Sequence, residues 1–155
     1  MKVYYLKRTQ FIKADLDTVW NFFSTPINLE QITPKQMSFI TLNQTGGSKM
    51  YEGQMISYKV SPFPFVRLRW TTEIRKAVDK KYFIDNQCLG PFALWYHQHF
   101  FEAKDGGVEM TDEVAYALPL GLLGRLVHAL FISKQVNGIF EFRREAVDRI
   151  FNNKE

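Results

Sequence analysis

The chain has 155 residues, enough for one domain to bury roughly 70% of the surface its unfolded form exposes, so a core can form without disulfides or metal. Hydrophobic residues make up 46% and charged residues 23%, which excludes a disordered chain. The net charge of +4 is spread along the sequence, which argues against a nucleic-acid groove, and no apolar run of 18 residues offers a membrane span.

Aromatic content is high, with 14 Phe, 7 Tyr and 3 Trp, a composition that suits either a Phe-rich core or an apolar pocket. Cys88 is the single cysteine and reads as a buried strand thiol, so no intrachain disulfide is available. The N-terminus, Met1-Lys2-Val3-Tyr4-Tyr5-Leu6-Lys7-Arg8, carries no signal-like apolar run, and a cytoplasmic protein is expected.

Residues 3–12 are β-branched and aromatic enough for a first strand. Asp15 or Asp17 can cap a short helix with Leu16, Val19, Trp20 and Phe23 on its apolar face. Pro26 stops that helix and can open a second helical turn through Leu29 to Ile32, ended before Pro34.

Strand-like runs follow. Met37–Leu42 precedes Gly46-Gly47, and Gln54–Val60 precedes the apolar Pro62-Phe63-Pro64-Phe65 corner, which either covers a cavity mouth or is a stiff turn. Phe65–Val78, Lys81–Cys88, Phe92–Ala103 and Val108–Leu118 come next, separated by Asp79-Lys80, Gly90-Pro91 and Asp105-Gly106-Gly107. Such short connections predict an antiparallel meander, and three strands longer than usual predict a strongly curved sheet. From Gly121 to about Phe151 the period becomes helical through Leu122, Leu126, Ala129, Ile132, Val136, Phe140, Val147 and Ile150. The first half of this helix is apolar around most of its circumference. It is either sunk into the sheet or an apolar surface offered to something else.

Particular runs carry a resemblance. They are Trp70-Thr71-Thr72-Glu73-Ile74, Phe83-Ile84-Asp85-Asn86-Gln87, Gly90 to Phe101 (GPFALWYHQHFF), and Met110 to Gly121 (MTDEVAYALPLG). Together with the element order, the chain resembles the START-like, polyketide cyclase-like superfamily, and within it the bacterial ligand-binding SRPBCC domain. The resemblance spans essentially the whole chain, residues 1–155, and implies a single ligand-binding domain. The implied fold is α+β helix-grip: a curved antiparallel sheet of about six or seven strands around a long C-terminal helix, with two short helices after the first strand. The superfamily includes carriers, cyclases and chaperone co-factors, so the fold alone does not choose a function.

Alternation on 107–118 puts Val108, Met110, Asp112, Val114, Tyr116 and Leu118 on one face, taken as inward, where the Asp112 carboxylate needs a partner. On 92–103 both faces are aromatic, and alternation leaves the choice open. The hairpin across Asp105-Gly106-Gly107 and the subfamily motif favour the face of Trp95, His97, His99 and Phe101. His97 or His99 would then meet Asp112 as a structural network, a polar handle for a ligand or a proton-transfer dyad. Chelation by His97, His99 and Asp112 lacks a fourth ligand at recognisable spacing, so no metal and no cofactor are expected. His128 reads as a helix-surface residue. Val66, Leu68, Trp70, Thr72 and Ile74 form an inward set on 65–78, whereas the inside of 81–88 is not decided by its pattern.

The leading expectation is a binding protein for a lipid, isoprenoid, polyketide or aromatic metabolite. Trp70, Trp95, His97, His99, Phe101, Asp112, Tyr116, Leu126 and Leu130 would be its ligand-binding residues. One alternative is a cofactor-independent cyclase, dehydratase or isomerase that uses His97, His99 and Asp112. Another is docking to a protein or a membrane through the apolar start of the long helix. Expected partners are a hydrophobic small molecule and a protein partner or second copy, with no nucleic acid and no stable membrane insertion.

Overall fold

The computed structural model describes residues 1–43, 49–63 and 66–153, with Phe63 represented by its backbone. Strand β1 (Tyr4–Ile12) buries Leu6 and Ile12 and leaves Tyr5, Lys7 and Arg8 in water. Asp15 then caps α1 (Leu16–Phe23), its Oδ1 accepting from the Thr18 backbone N–H at 2.8 Å. Val19, Trp20 and Phe23 form the buried face. The second helical piece is a 3-10 helix, Pro26–Ile32, started by Pro26 at its first turn.

The expected strand Met37–Leu42 shrinks to β2, Ile40–Thr41, paired with Lys59 and Tyr58. Lys35–Met37 is another 3-10 turn, and Ser38 closes it in the left-handed region at φ 44, so the chain cannot be extended there. The Gly46-Gly47 turn and the Pro64-Phe65 part of the apolar corner lie outside the described residues.

Strands β3 (Met55–Phe63), β4 (Val66–Val78), β5 (Tyr82–Leu89), β6 (Leu94–Lys104) and β7 (Gly107–Ala117) complete a seven-stranded sheet of order β1-β7-β6-β5-β4-β3-β2, with every neighbour antiparallel. Register shifts in β3–β4 and at two places in β4–β5 bend the sheet, as an extra residue on one strand must. Asp105-Gly106 makes the tight β6–β7 turn, and Gly106 supplies φ 77. Cys88, expected inside, is exposed near the end of β5.

The long helix is a run of four pieces: α2 (Gly121–Val127), a π turn (His128–Ile132), α3 (Ser133–Val147) and a second π turn (Asp148–Asn152). Right-handed helical angles at Val127, His128, Ile132, Ser133 and Asp148 join them without a break. The buried or partly buried stripe is Gly124, His128, Ile132, Val136 and Phe140, at steps of four. In an ideal α-helix such a stripe drifts by about 40° per step, and a wider π turn takes up part of that drift.

This stripe corrects two expectations. His128 is 8% exposed and belongs to the interior, stacked on the Tyr4 ring at 3.4 Å with Nε2 3.0 Å from the Tyr116 hydroxyl. Leu126 and Leu130 face away, 56% and 59% exposed, because Gly124 and His128 hold the inward positions. Leu122, Leu123 and Phe131 are exposed beside them.

Packing is thickest around α1. Ile12, Trp20, Phe23, Phe101, Val108, Val147 and Phe151 meet there, with Trp20 edge-on to Phe101 at 5.4 Å.

Candidate functional site

Between the concave face of the sheet and the long helix lies a cavity of about 300 Å³. Aromatic side chains make one wall: Trp70 from β4, Phe92 from the β5–β6 loop and Trp95 from β6. Trp70 and Trp95 meet edge to face at 5.2 Å and 89°, and Phe92 lies 4.8 Å from Trp95. The Trp70 indole N–H donates to Thr72 Oγ1 at 3.1 Å, so its polar atom is already satisfied. Opposite stand Ile132, Val136 and Phe140 from the long helix. The Gln135 amide donates to the Pro62 carbonyl and ties that helix to the end of β3.

One part of the lining is polar. Strands β5, β6 and β7 are neighbours, and their register sets Asp85 opposite His97 and His99 opposite Asp112. Alternation then points all four side chains to the concave side. Asp112 Oδ1 lies 2.9 Å from His97 Nε2 and 2.9 Å from His99 Nδ1. The remaining ring nitrogens face the other carboxylate: His99 Nε2 is 2.9 Å from Asp85 Oδ2 and His97 Nδ1 is 3.5 Å from it. The His99 Nδ1 contact is close but poorly aligned as a hydrogen bond. The two rings are 3.7 Å apart, and His99 also stacks on Phe83 at 4.1 Å.

The two histidines differ in their affinity for a proton. Burial lowers the affinity of His97 for a proton and the charge of His99 lowers it further, outweighing both carboxylates, so His97 is held below the usual histidine range. Burial works against the His99 cation too, but the Asp112 and Asp85 carboxylates beside its two nitrogens overcome it, and His99 is raised. Burial pushes Asp112 upward, yet its bonds to His97 and His99 hold it far below the carboxylate range. The same opposition leaves Asp85 lowered. One imidazole that disfavours a proton beside one that favours it, both reaching the cavity wall, can take a proton from a bound molecule or give one to it.

Arg143, on α3, also lines the cavity. Its guanidinium lies 5.1 Å from the centre of the Phe140 ring, and its Nε is enclosed without a hydrogen-bond partner. Burial pulls it down from its ordinary value, against the attraction of Asp112 and Asp85, and arginine still stays charged at neutral pH. Tyr58, from β3, is 6% exposed, and burial followed by the charge of Asp85 pushes its phenol well above the usual range.

Of the residues expected to bind ligand, Trp70, Trp95, His97 and His99 line the cavity. Asp112 is 8% exposed and braces the two histidines without lining the cavity itself. Phe101 packs into the α1 cluster, and Tyr116 lies against Trp95 and His128. Leu126 and Leu130 project into solvent.

Solved structures share this architecture closely. A protein of Chromobacterium violaceum superposes with a TM-score of 0.73 at 8% identity, covering 97% of this chain and 99% of that one. The major latex-like protein of Panax ginseng gives 0.68 at 13% identity over 96% and 97%. The protein has the START-like, helix-grip fold. A Streptomyces aromatase/cyclase with the same START-like architecture gives 0.66 at 11% identity over 96% of each chain. No family model matches the sequence, and no curated protein matches it.

Two cavity residues, Asp85 and Arg143, are not signalled by the sequence pattern. Asp85 sits on a strand whose faces, Phe83-Asp85-Gln87 and Tyr82-Ile84-Asn86-Cys88, show no polar contrast. Arg143 follows Phe140 by three residues and precedes Val147 by four, so the apolar stripe passes through it.

Proposed function

We propose that the protein binds a hydrophobic small molecule in the cavity between the sheet and the long helix. The observation that carries this reading is the cavity itself: about 300 Å³, walled by Trp70, Phe92, Trp95, Val136 and Phe140, with His97, His99, Asp85 and Arg143 as its polar part. That volume is at the lower end of small-molecule sites, and apolar walls with a few convergent polar groups are their usual chemistry. A lipid, isoprenoid, polyketide or aromatic metabolite with one oxygen-bearing end matches this lining. Native mass spectrometry of freshly purified protein, with thermal shift against a panel of such compounds, tests it. A ligand-free mass and a flat thermal response across the panel would sink it.

The exposed face of the long helix supports a second, compatible reading: contact with an anionic lipid surface from which an apolar ligand is taken. Leu122, Leu123, Leu126, Leu130 and Phe131 are each more than half exposed. Between Glu113 and Glu141 the only charged side chains are the basic Arg125 and Lys134. Cations beside large apolar groups favour anionic headgroups. No helix among the described residues is long and apolar enough to cross a membrane, so this contact is peripheral. Flotation with phosphatidylserine-containing vesicles checks it, and equal recovery with and without vesicles would refute it.

A further inference from the structure

The cluster of Asp85, His97 and His99 has a geometry that ligand hydrogen bonding alone does not explain. Both imidazoles turn one nitrogen to the same oxygen of Asp112 and the other nitrogen to the same oxygen of Asp85. If both rings are neutral, with the His97 Nε2–H donating to Asp112 and the His99 Nδ1–H on the side of Asp112, the two free lone pairs, on His97 Nδ1 and His99 Nε2, point at a carboxylate oxygen. Three electron-rich atoms then converge. A metal cation held among the three atoms satisfies both contacts at once, whereas a hydrogen bond from His99 Nε2 to Asp85 satisfies only one of them.

We infer that Asp85, His97 and His99 form a binding site for a divalent transition-metal ion, with Asp112 as the group that orients both imidazoles. The distances suit it. Ligand atoms bonded to one metal at about 2.1 Å sit roughly 3.0 to 3.5 Å apart in octahedral or tetrahedral geometry. Here Asp85 Oδ2 is 2.9 Å from His99 Nε2 and 3.5 Å from His97 Nδ1, and one ligand atom from each residue lies within 4.8 Å of the others. A carboxylate behind a metal-bound histidine fixes its tautomer and ring plane; Asp112 does so for His97 at 2.9 Å and lies equally close to His99 Nδ1. Two imidazole nitrogens and one carboxylate oxygen select zinc or a neighbouring first-row ion over magnesium or calcium.

Three protein ligands leave positions open, and all three residues line the cavity, so the open side faces whatever the cavity holds. Arg143 enters none of these close ion pairs, and its charge reaches Asp112 and Asp85 only at longer range. With the ion bound, two carboxylates, one guanidinium and a dication leave one net positive charge, which favours an anionic or oxygen-bearing group on the open side. The metal site stands whether or not an apolar ligand is found, because the ion alone is the probe.

Tag-free protein stripped with chelator is titrated with Zn²⁺ by calorimetry and with Co²⁺ by visible absorption. The expected result is one ion per chain. Asp85→Asn abolishes saturable uptake, Asp112→Asn weakens it roughly 10- to 100-fold, and His128→Gln, at a buried histidine elsewhere, leaves it unchanged. Paramagnetic Co²⁺ should broaden the ring resonances of His97 and His99 in the unaltered protein and spare those of His128, a readout that needs no variant to fold. Folded wild-type protein with no saturable uptake of either ion would overturn the inference. Uptake that Asp85→Asn leaves intact, or cobalt broadening centred on His128, would overturn it as well.

Discussion

Replacing Asp112 by alanine is the sharpest test of the polar cluster. In the native chain one buried oxygen, Asp112 Oδ1, faces a nitrogen of each histidine at 2.9 Å. Alanine leaves the enclosed His97 Nε2–H without its acceptor and removes the carboxylate that lies beside His99 Nδ1. Each orphaned donor costs about 1 to 3 kcal/mol, and breaking a buried ionic pair from one side costs about 3 to 5 kcal/mol. A loss of about 4 kcal/mol is therefore expected, equivalent to a melting point lower by about 8 to 16 °C for a chain of this size. Asp112→Asn retains one carbonyl acceptor and should lose about half as much, by the same accounting of one donor restored. Urea denaturation with chelator present, so that no metal contributes, measures both, and an unchanged slope with denaturant shows that the unfolded state is not the cause. If Asp112→Ala falls within about 1 kcal/mol of the wild type, the four side chains are not a mutually dependent buried network, a cost below even one orphaned donor.

Three further outcomes follow from the fold. Gly124→Ala should destabilise by about 1 to 3 kcal/mol in a thermal melt, because a Cβ there would run into the Pro119 carbonyl oxygen; helix propensity alone predicts the opposite sign, so a higher melting point would refute the packing argument. Leu126→Ser combined with Leu130→Ser should change stability by no more than about 1 kcal/mol, since both side chains are more than half exposed, while reducing recovery on anionic vesicles. Burial, and then the charge of Lys2, hold the His128 imidazole below the usual histidine range, with the Tyr4 ring stacked on it and the Tyr116 hydroxyl at Nε2. Because the folded state disfavours the proton, its contribution is complete above the unfolded value of about 6.5 and is lost as pH falls below that. An NMR titration should give a depressed midpoint for His128, and a midpoint at or above the ordinary value would contradict its enclosed position.

Turn residues and period made most of the architecture legible. Asp79-Lys80, Gly90-Pro91 and Asp105-Gly106 separate four of the strands to within a residue or two, and the change to helical spacing at Gly121 coincides with the first helical residue of α2. The site was harder to read. Apolar periodicity selects large side chains, so it traced the helix stripe through Leu122 and Leu126, whereas the structure turns Gly124 and His128 inward and leaves the leucines in water. Close approach needed the small residue, and Tyr4 and Tyr116 gave the imidazole its partners. Neither requirement is visible from one strand or helix alone. The same holds for Asp85, whose place beside His97 is a property of the β5–β6 register.

The pairing of β1 with β7 also constrains how the chain reaches its final form. Tyr4 lies opposite Tyr116 and Ile12 opposite Val108, so the first strand made must wait for the last one, about a hundred residues later, before its ladder can close. Until then Leu6 and Ile12 sit on an unpaired ribbon. Refolding should therefore be slow for a chain of this size, and a truncated product lacking β7 would leave an open, sticky edge at its N-terminal end.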